Sequence, residues 1–150
     1  KVISKWDLRF LKLAQFVSTW SKDPSTQVGA VITDNKRIIS LGYNGLPQGI
    51  EDYDYRLSDR DLKYKMIIHA ELNAIIFSNV NLTGYTIYTY PMLACPNCAG
   101  IIIQNGIKRI VSTPLSSDLF DRWAGNIALS MTMFRECNID VDISKLDDIT

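Results

Sequence analysis

The sequence predicts an α/β fold in three layers, with helices on both faces of a five-stranded mixed sheet. Three observations lead there. Helical and strand periodicities alternate in the order α-β-β-α-β-α-β-α-β along the chain. The first two strands are separated only by a hairpin-like turn, which favours antiparallel pairing. The later strand–helix–strand units favour parallel pairing with crossover helices. The chain has 150 residues, of which 47 % are hydrophobic. That length fits one domain, expected over residues 1–150, and buries roughly 70 % of the surface its unfolded chain exposes.

The elements follow in order. Trp6 to Trp20 places Leu8, Leu11, Phe16 and Trp20 at helical spacing, with Leu13 and Val17 beside them. Ser21-Lys22-Asp23-Pro24-Ser25-Thr26 breaks that pattern with proline and short polar residues. Gln27 to Thr33 is apolar and β-branched, Asp34-Asn35-Lys36 is a turn, and Arg37 to Tyr43 reads as the second strand. Asn44 to Leu62 is mostly polar with no clear periodicity, so a long functional or mobile loop is expected. Lys65 to Ser78 reads as a helix with a strongly apolar face, and Tyr85 to Tyr90 as a strand. Pro96 to Asn105 is a short helix stopped by Gly106, followed by a strand over Lys108 to Thr113. Trp123 to Cys137 is a helix with Ile127, Met131 and Phe134 on one stripe, and Ile139 to Ile143 is the last strand.

Charge and cysteine content exclude several classes. Sixteen basic and sixteen acidic residues give a formal net charge of zero. A polyanion binder needs clustered Lys and Arg, so a nucleic-acid polymer is not the expected partner, although a small anion remains compatible. Three cysteines are too few for a disulfide scaffold. No apolar run reaches the roughly 18 residues that span a bilayer. The N-terminal stretch KVISKWDLRFLKLAQF is amphipathic without a secretory core. A cytoplasmic protein with no membrane partner is expected.

Two fragments carry chemistry. His69-Ala70-Glu71 opens one helix, and Cys95-Pro96-Asn97-Cys98 opens another. Helix N-termini favour thiolates, and a Cys-x-x-Cys pair can bring two of them onto one cation. With His69 the set has three N/S ligands, which leaves the fourth tetrahedral position of a zinc ion for water. Zinc lowers the pKa of such a water to roughly 7. Glu71 can stand beside that water and shuttle protons. A thiol redox pair on Cys95 and Cys98 is the competing reading, but it has no use for His-x-Glu in a second helix. A non-catalytic zinc domain is another, and it has no use for Glu71. Cys137 reads as a buried structural thiol, and Trp6, Trp20 and Trp123 as core.

His-x-Glu followed by Cys-x-x-Cys resembles the signature of the zinc-dependent nucleoside and nucleotide deaminases. Longer stretches resemble the deoxycytidylate (dCMP) deaminase branch. They are Ser21 to Ala30, Gly42-Tyr43-Asn44-Gly45-Leu46-Pro47, His69 to Ile75, and Ile102 to Ile107, in family order. The chain departs in having Ala94 where the family places proline before the first cysteine, and in a Tyr88 to Ala94 link one residue longer. The resemblance implies a cytidine-deaminase-like fold and hydrolysis of dCMP to dUMP and ammonia, feeding thymidylate synthesis. It implies one zinc per chain on His69, Cys95 and Cys98, because no further His or Cys precedes His69 as in relatives with a second zinc. Glu71 is then the proton shuttle, the Ala70 N–H lies near the base carbonyl, and Asn44 contacts base or sugar.

A dCMP enzyme also holds a phosphate. Lys22, Ser25 and Thr26 are candidates by their hydrogen-bonding chemistry, as are Arg56 and Arg60. Tyr53, Tyr55 and Tyr64 either close over the base or pack the long loop. The resemblance further implies activation by dCTP, inhibition by dTTP with Mg2+, and a homo-oligomer between dimer and hexamer. The rival substrates within the fold are cytidine, dCTP and a tRNA adenosine. Zero net charge weighs against the last.

Overall fold

A computed structural model describes residues 3–147. Five strands form one mixed sheet: β1 (Gly29–Asp34), β2 (Arg37–Tyr43), β3 (Thr86–Tyr90), β4 (Arg109–Ser112) and β5 (Asp140–Ile143). The strand order is β2-β1-β3-β4-β5. β1 pairs antiparallel with β2 and with β3, whereas β3–β4 and β4–β5 are parallel. The expected antiparallel start and parallel finish both appear.

Side-chain alternation divides the core. On one face Val31, Tyr88 and Val111 meet Phe10, Leu11 and Ala14 of α1 (Lys5–Ser18). On the other face Ala30, Ile32, Ile87 and Ile110 meet three helices. These are α4 (Ala70–Ser78) through Ala70 and Ala74, α5 (Pro96–Gln104) through Cys98 and Ile102, and α6 (Ser117–Glu136) through Phe134. The three layers follow from that division. Gly29 and Gly42 let helix backbone come close to the sheet: a Cβ on Gly29 would collide with Ala14 and Ser18 of α1, and one on Gly42 with Ala70 and Ala74 of α4. A polar cluster locks α1 down. Asp7 accepts hydrogen bonds from Tyr88 Oη at 2.7 Å and from Arg109 Nη1 at 2.8 Å, and Arg109 also reaches Asp142 at 2.9 Å.

Several sequence expectations shift. The first helix stops at Ser18, and Trp20 lies outside it, 46 % exposed and packed edge-on against Phe16 and Tyr43 instead of in the core. The region expected to be irregular contains α2 (Asp54–Ser58) and α3 (Arg60–Met66), with Asp59 accepting from Leu62 N to cap the second. Its periodicity was illegible because the residue α3 buries is Lys63, not an apolar one. The helix expected from Lys65 is instead broken at Ile67, which is extended, and Ile68 exchanges two backbone hydrogen bonds with Gly45 before α4 begins. Gly106 takes the expected left-handed position after α5, with φ 76°. α6 starts at Ser117, six residues before the expected start at Trp123, in a segment whose Phe120 is exposed. Cys137 is exposed, not a buried thiol, since it lies beyond the end of α6. Among the described residues no helix is long and apolar enough to cross a membrane.

Candidate active site

The break at Ile67 puts His69 at the N-cap of α4. Cys95 takes the same place on α5, where Pro96 starts the helix with a φ already suited to it. Cys98 lies in the first turn of α5 and is almost fully buried. Two helix N-termini therefore aim at one point. His69 Nδ1 is 3.2 Å from Cys98 Sγ and 3.5 Å from Cys95 Sγ. All three donor atoms lie within 4.8 Å of one another. One imidazole nitrogen and two sulfurs gathered this closely suit a zinc ion, and no fourth protein donor joins them among the described residues.

The electrostatics agree with that donor set. A hydrogen bond from Cys98 pulls the Cys95 thiol down to about 4, against burial and with further help from His69. Cys98 is pushed up by donating to Cys95 and by its burial. Each thiol's bond to the other drives the two apart, with the thiolate favoured at Cys95. The bond to Cys95 raises His69, opposed by burial. Glu71 follows in the first turn of α4 and is 4 % exposed. Burial pushes its carboxyl up to about 7, with His69 acting in the opposite sense. A carboxyl near that value gives and takes a proton with little cost at neutral pH.

A cavity opens beside these groups, walled by His69, Ala70, Glu71 and Cys95 on one side and by Thr26, Asn44 and Lys63 on the other. Asn44 is where the sequence places it, but its amide is engaged. Its Oδ1 accepts from Val28 N at 2.8 Å, and its Nδ2 donates to Thr26 O at 2.9 Å and Asp23 Oδ2 at 3.3 Å. Asn44 therefore pins the 23–28 turn, and a contact with base or sugar requires one of these bonds to be exchanged. Asp23 is the hub: it also accepts from Ser25 N at 2.8 Å and Lys63 Nζ at 3.1 Å. Thr26 reaches the wall with its Oγ1 buried and unpartnered.

The other phosphate candidates lie elsewhere. Lys22 is exposed and paired with Asp52 at 2.7 Å, and Ser25 is exposed; neither lines the cavity. Their separation arises because the tight turn around Asp23 faces Lys22 and Ser25 outward. Arg56 lies over the stacked rings of Tyr53 and Tyr55, also outside the cavity. Of the tyrosines only Tyr64 borders it. Asp23, Lys63, Arg122 and Trp123 line the cavity and escaped the sequence reading of the site. Trp123 read as core, yet it is half-buried there with an indole N–H that finds no partner. The one available signal was the Arg-Trp pair ahead of an apolar helical stripe.

Residues 4–113 match the model of the cytidine and deoxycytidylate deaminase zinc-binding region. The chain belongs to this family of zinc-binding deaminases. An uncharacterised deaminase from the luxG 3′ region of Aliivibrio fischeri is 44 % identical over 146 residues, covering 97 % of this chain and 98 % of that one. The deoxycytidylate deaminase of Mus musculus is 41 % identical over 115 residues, covering 71 % of this chain, which spans 64 % of the mouse protein's length. The fold is that of the dCMP deaminase from the cyanophage S-TIM5, solved with dCMP and dUMP: TM-score 0.75 at 21 % identity, over 96 % of this chain and 100 % of that chain.

Proposed function

We propose that this chain, as one catalytic domain over residues 1–150, hydrolyses the 4-amino group of dCMP to give dUMP and ammonia. The observation that carries the reading is the buried carboxyl of Glu71 in the wall of the same cavity as His69 and Cys95. A purely structural metal site has no use for a proton carrier there. The mouse and cyanophage proteins named for dCMP support the choice of substrate.

One zinc per chain would be held by His69, Cys95 and Cys98, and it supplies Lewis acidity that makes water nucleophilic near neutral pH. The chain's own groups do the rest. Glu71 takes a proton from the attacking water and delivers it to N3 of the pyrimidine as the oxygen adds at C4. It then carries the second water proton to the departing amine, so that the amine leaves as ammonia and the oxygen stays on C4 as the carbonyl. The Ala70 N–H, at the start of α4, would hold the base carbonyl, and Asn44, on exchange of one of its amide bonds, the base or sugar. Burial of the carboxyl keeps bulk water from competing for its proton.

The regulatory side of the reading extends to dCTP as activator, dTTP with Mg2+ as inhibitor, and a homo-oligomer in the cytoplasm supplying dUMP for thymidylate synthesis. Exposed Phe16, Trp20 and Tyr43, in edge-on contact, offer apolar surface to such an assembly.

The test is a substrate panel on purified protein of known metal content, with ammonia release measured on dCMP, CMP, deoxycytidine, dCTP and a tRNA anticodon stem. Turnover of dCMP with one zinc per chain is expected, and chelation should abolish it until zinc is returned. No release from dCMP by zinc-loaded protein overturns the reading.

A further inference from the structure

The cations around the site differ in how they are balanced. Lys63, inside the cavity, is 3 % exposed and neutralised by buried Asp23. Lys22 is neutralised by Asp52. Among the described residues, neither Arg60 nor Arg122 has a carboxylate at ion-pair distance. Both border an open cleft that shares His69, Cys95 and Trp123 with the catalytic cavity, and no Asp or Glu lines it. Arg122 borders both spaces, so it stands where the cavity passes into the cleft.

The neighbouring groups suit an anion. Tyr64 Oη accepts from Arg122 Nη2 at 3.1 Å, which holds the guanidinium while leaving its other N–H donors free. The guanidinium carbon is 5.5 Å from the Trp123 ring centroid. Trp123 lines the same cleft, and its Nε1–H is buried without a partner, a cost that an acceptor brought to it would relieve. A guanidinium fork matches phosphate oxygens in pairs, and a second arginine on the same cleft adds the charge that a dianion needs.

We propose that Arg122 and Arg60, with the Trp123 indole N–H as a neutral donor, bind the 5′-phosphate of the nucleotide and so select a monophosphate over the free nucleoside. This rests on the dCMP reading above, and it moves the phosphate from the Lys22–Ser25 turn to the cleft that shares residues with the cavity. With the base at Glu71, the phosphate projects outward into the cleft, where its charge stays partly solvated and meets unpaired cations instead of the balanced Asp23–Lys63 pair.

The experiment compares zinc-loaded full-length protein with Arg122→Ala, Arg122→Lys, Arg60→Ala and Lys22→Ala. It reads the ratio of kcat/KM for dCMP to that for deoxycytidine, and the ratio of Kd for deoxyuridine to that for dUMP by calorimetry. Loss of a charge-assisted bond predicts that both ratios fall about tenfold to a hundredfold in Arg122→Ala, with partial recovery in Arg122→Lys. Arg60→Ala should lower them less. A wild type that prefers dCMP while Arg122→Ala and Arg60→Ala keep its ratios overturns the proposal, as does a collapse confined to Lys22→Ala. A wild type without activity on dCMP is a different result, which removes the substrate reading itself. If Arg122→Ala does not fold, the Arg122→Lys and Arg60→Ala ratios decide the question.

Discussion

His69 Nδ1 lies 3.2 Å from Cys98 Sγ, although 29 residues separate them in the chain. α4 runs away from His69, β3 returns, and α5 starts after it, so α4 and α5 begin at the same end of the sheet. Both parallel and antiparallel neighbours of β3 are needed to hold that end in place. The metal site is thus a product of topology, with each donor fixed by a helix start.

Glu71→Gln should retain zinc and lose turnover. The amide keeps the shape of the buried side chain but carries no proton, and removing a general acid–base group costs about 10²- to 10⁴-fold. Metal analysis alongside ammonia release reads both. Loss of zinc in this variant would make Glu71 a ligand instead.

Gly42→Ala should destabilise the protein by about 1–3 kcal/mol and lower activity as well, because the new methyl meets the backbone of Ala70 and Ala74 on the helix that carries Glu71. Gly45→Ala, with nothing within 4 Å of its added methyl, should leave the melting temperature nearly unchanged. Thermal melts of the two variants make the comparison.

Asp7 governs acid stability. Burial alone would raise its carboxyl, but the hydrogen bonds from Arg109 and Tyr88 outweigh that and hold it well below the usual carboxylate range. A depressed native value stabilises the fold fully at pH above the unfolded value near 4, and that contribution drains away as pH falls below it. Asp7→Asn should therefore cost about 2 kcal/mol at neutral pH, because half-buried Arg109 keeps only Asp142 as its counter-ion among the described residues, with the gap to wild type closing below about pH 4. Denaturant titrations at several pH values measure this gap.

Lys63→Met should raise KM more than it lowers kcat. It leaves Asp23 buried without its cation, and Asp23 orients Asn44 across the cavity. A broken buried pair costs about 3 kcal/mol, so a lowered melting temperature accompanies the change. Steady-state kinetics with dCMP separates the two constants; an unaltered KM would show that Asn44 is held without this pair.

Local chemistry made much of the molecule legible. β2 was expected at the residues where it stands, Arg37–Tyr43, because alternation and the Asp-Asn turn are both local. Cys95 was placeable at a helix start because Pro96 marks it directly. α3 was not legible, since its buried face is a lysine whose partner Asp23 lies 40 residues away. The helix start at Ala70 was hidden as well: Lys65 to Ser78 is helical by pattern, and only the bridge between Ile68 and Gly45 interrupts it.

By itself, then, the sequence determined the layer architecture and singled out, by residue type and short spacing, the His69, Cys95 and Cys98 donors that the fold gathers and the Glu71 carboxyl beside them. The tertiary structure alone decided which cations are balanced and which face open space. Lys22, Lys63, Arg60 and Arg122 are alike as charges in a string of letters. Their difference arises from Asp52 and Asp23, which the fold brings to the lysines, and from the cleft beside α6, where among the described residues no carboxylate meets the arginines. Coulomb energies depend on separation and burial, and neither is written in the order of the residues.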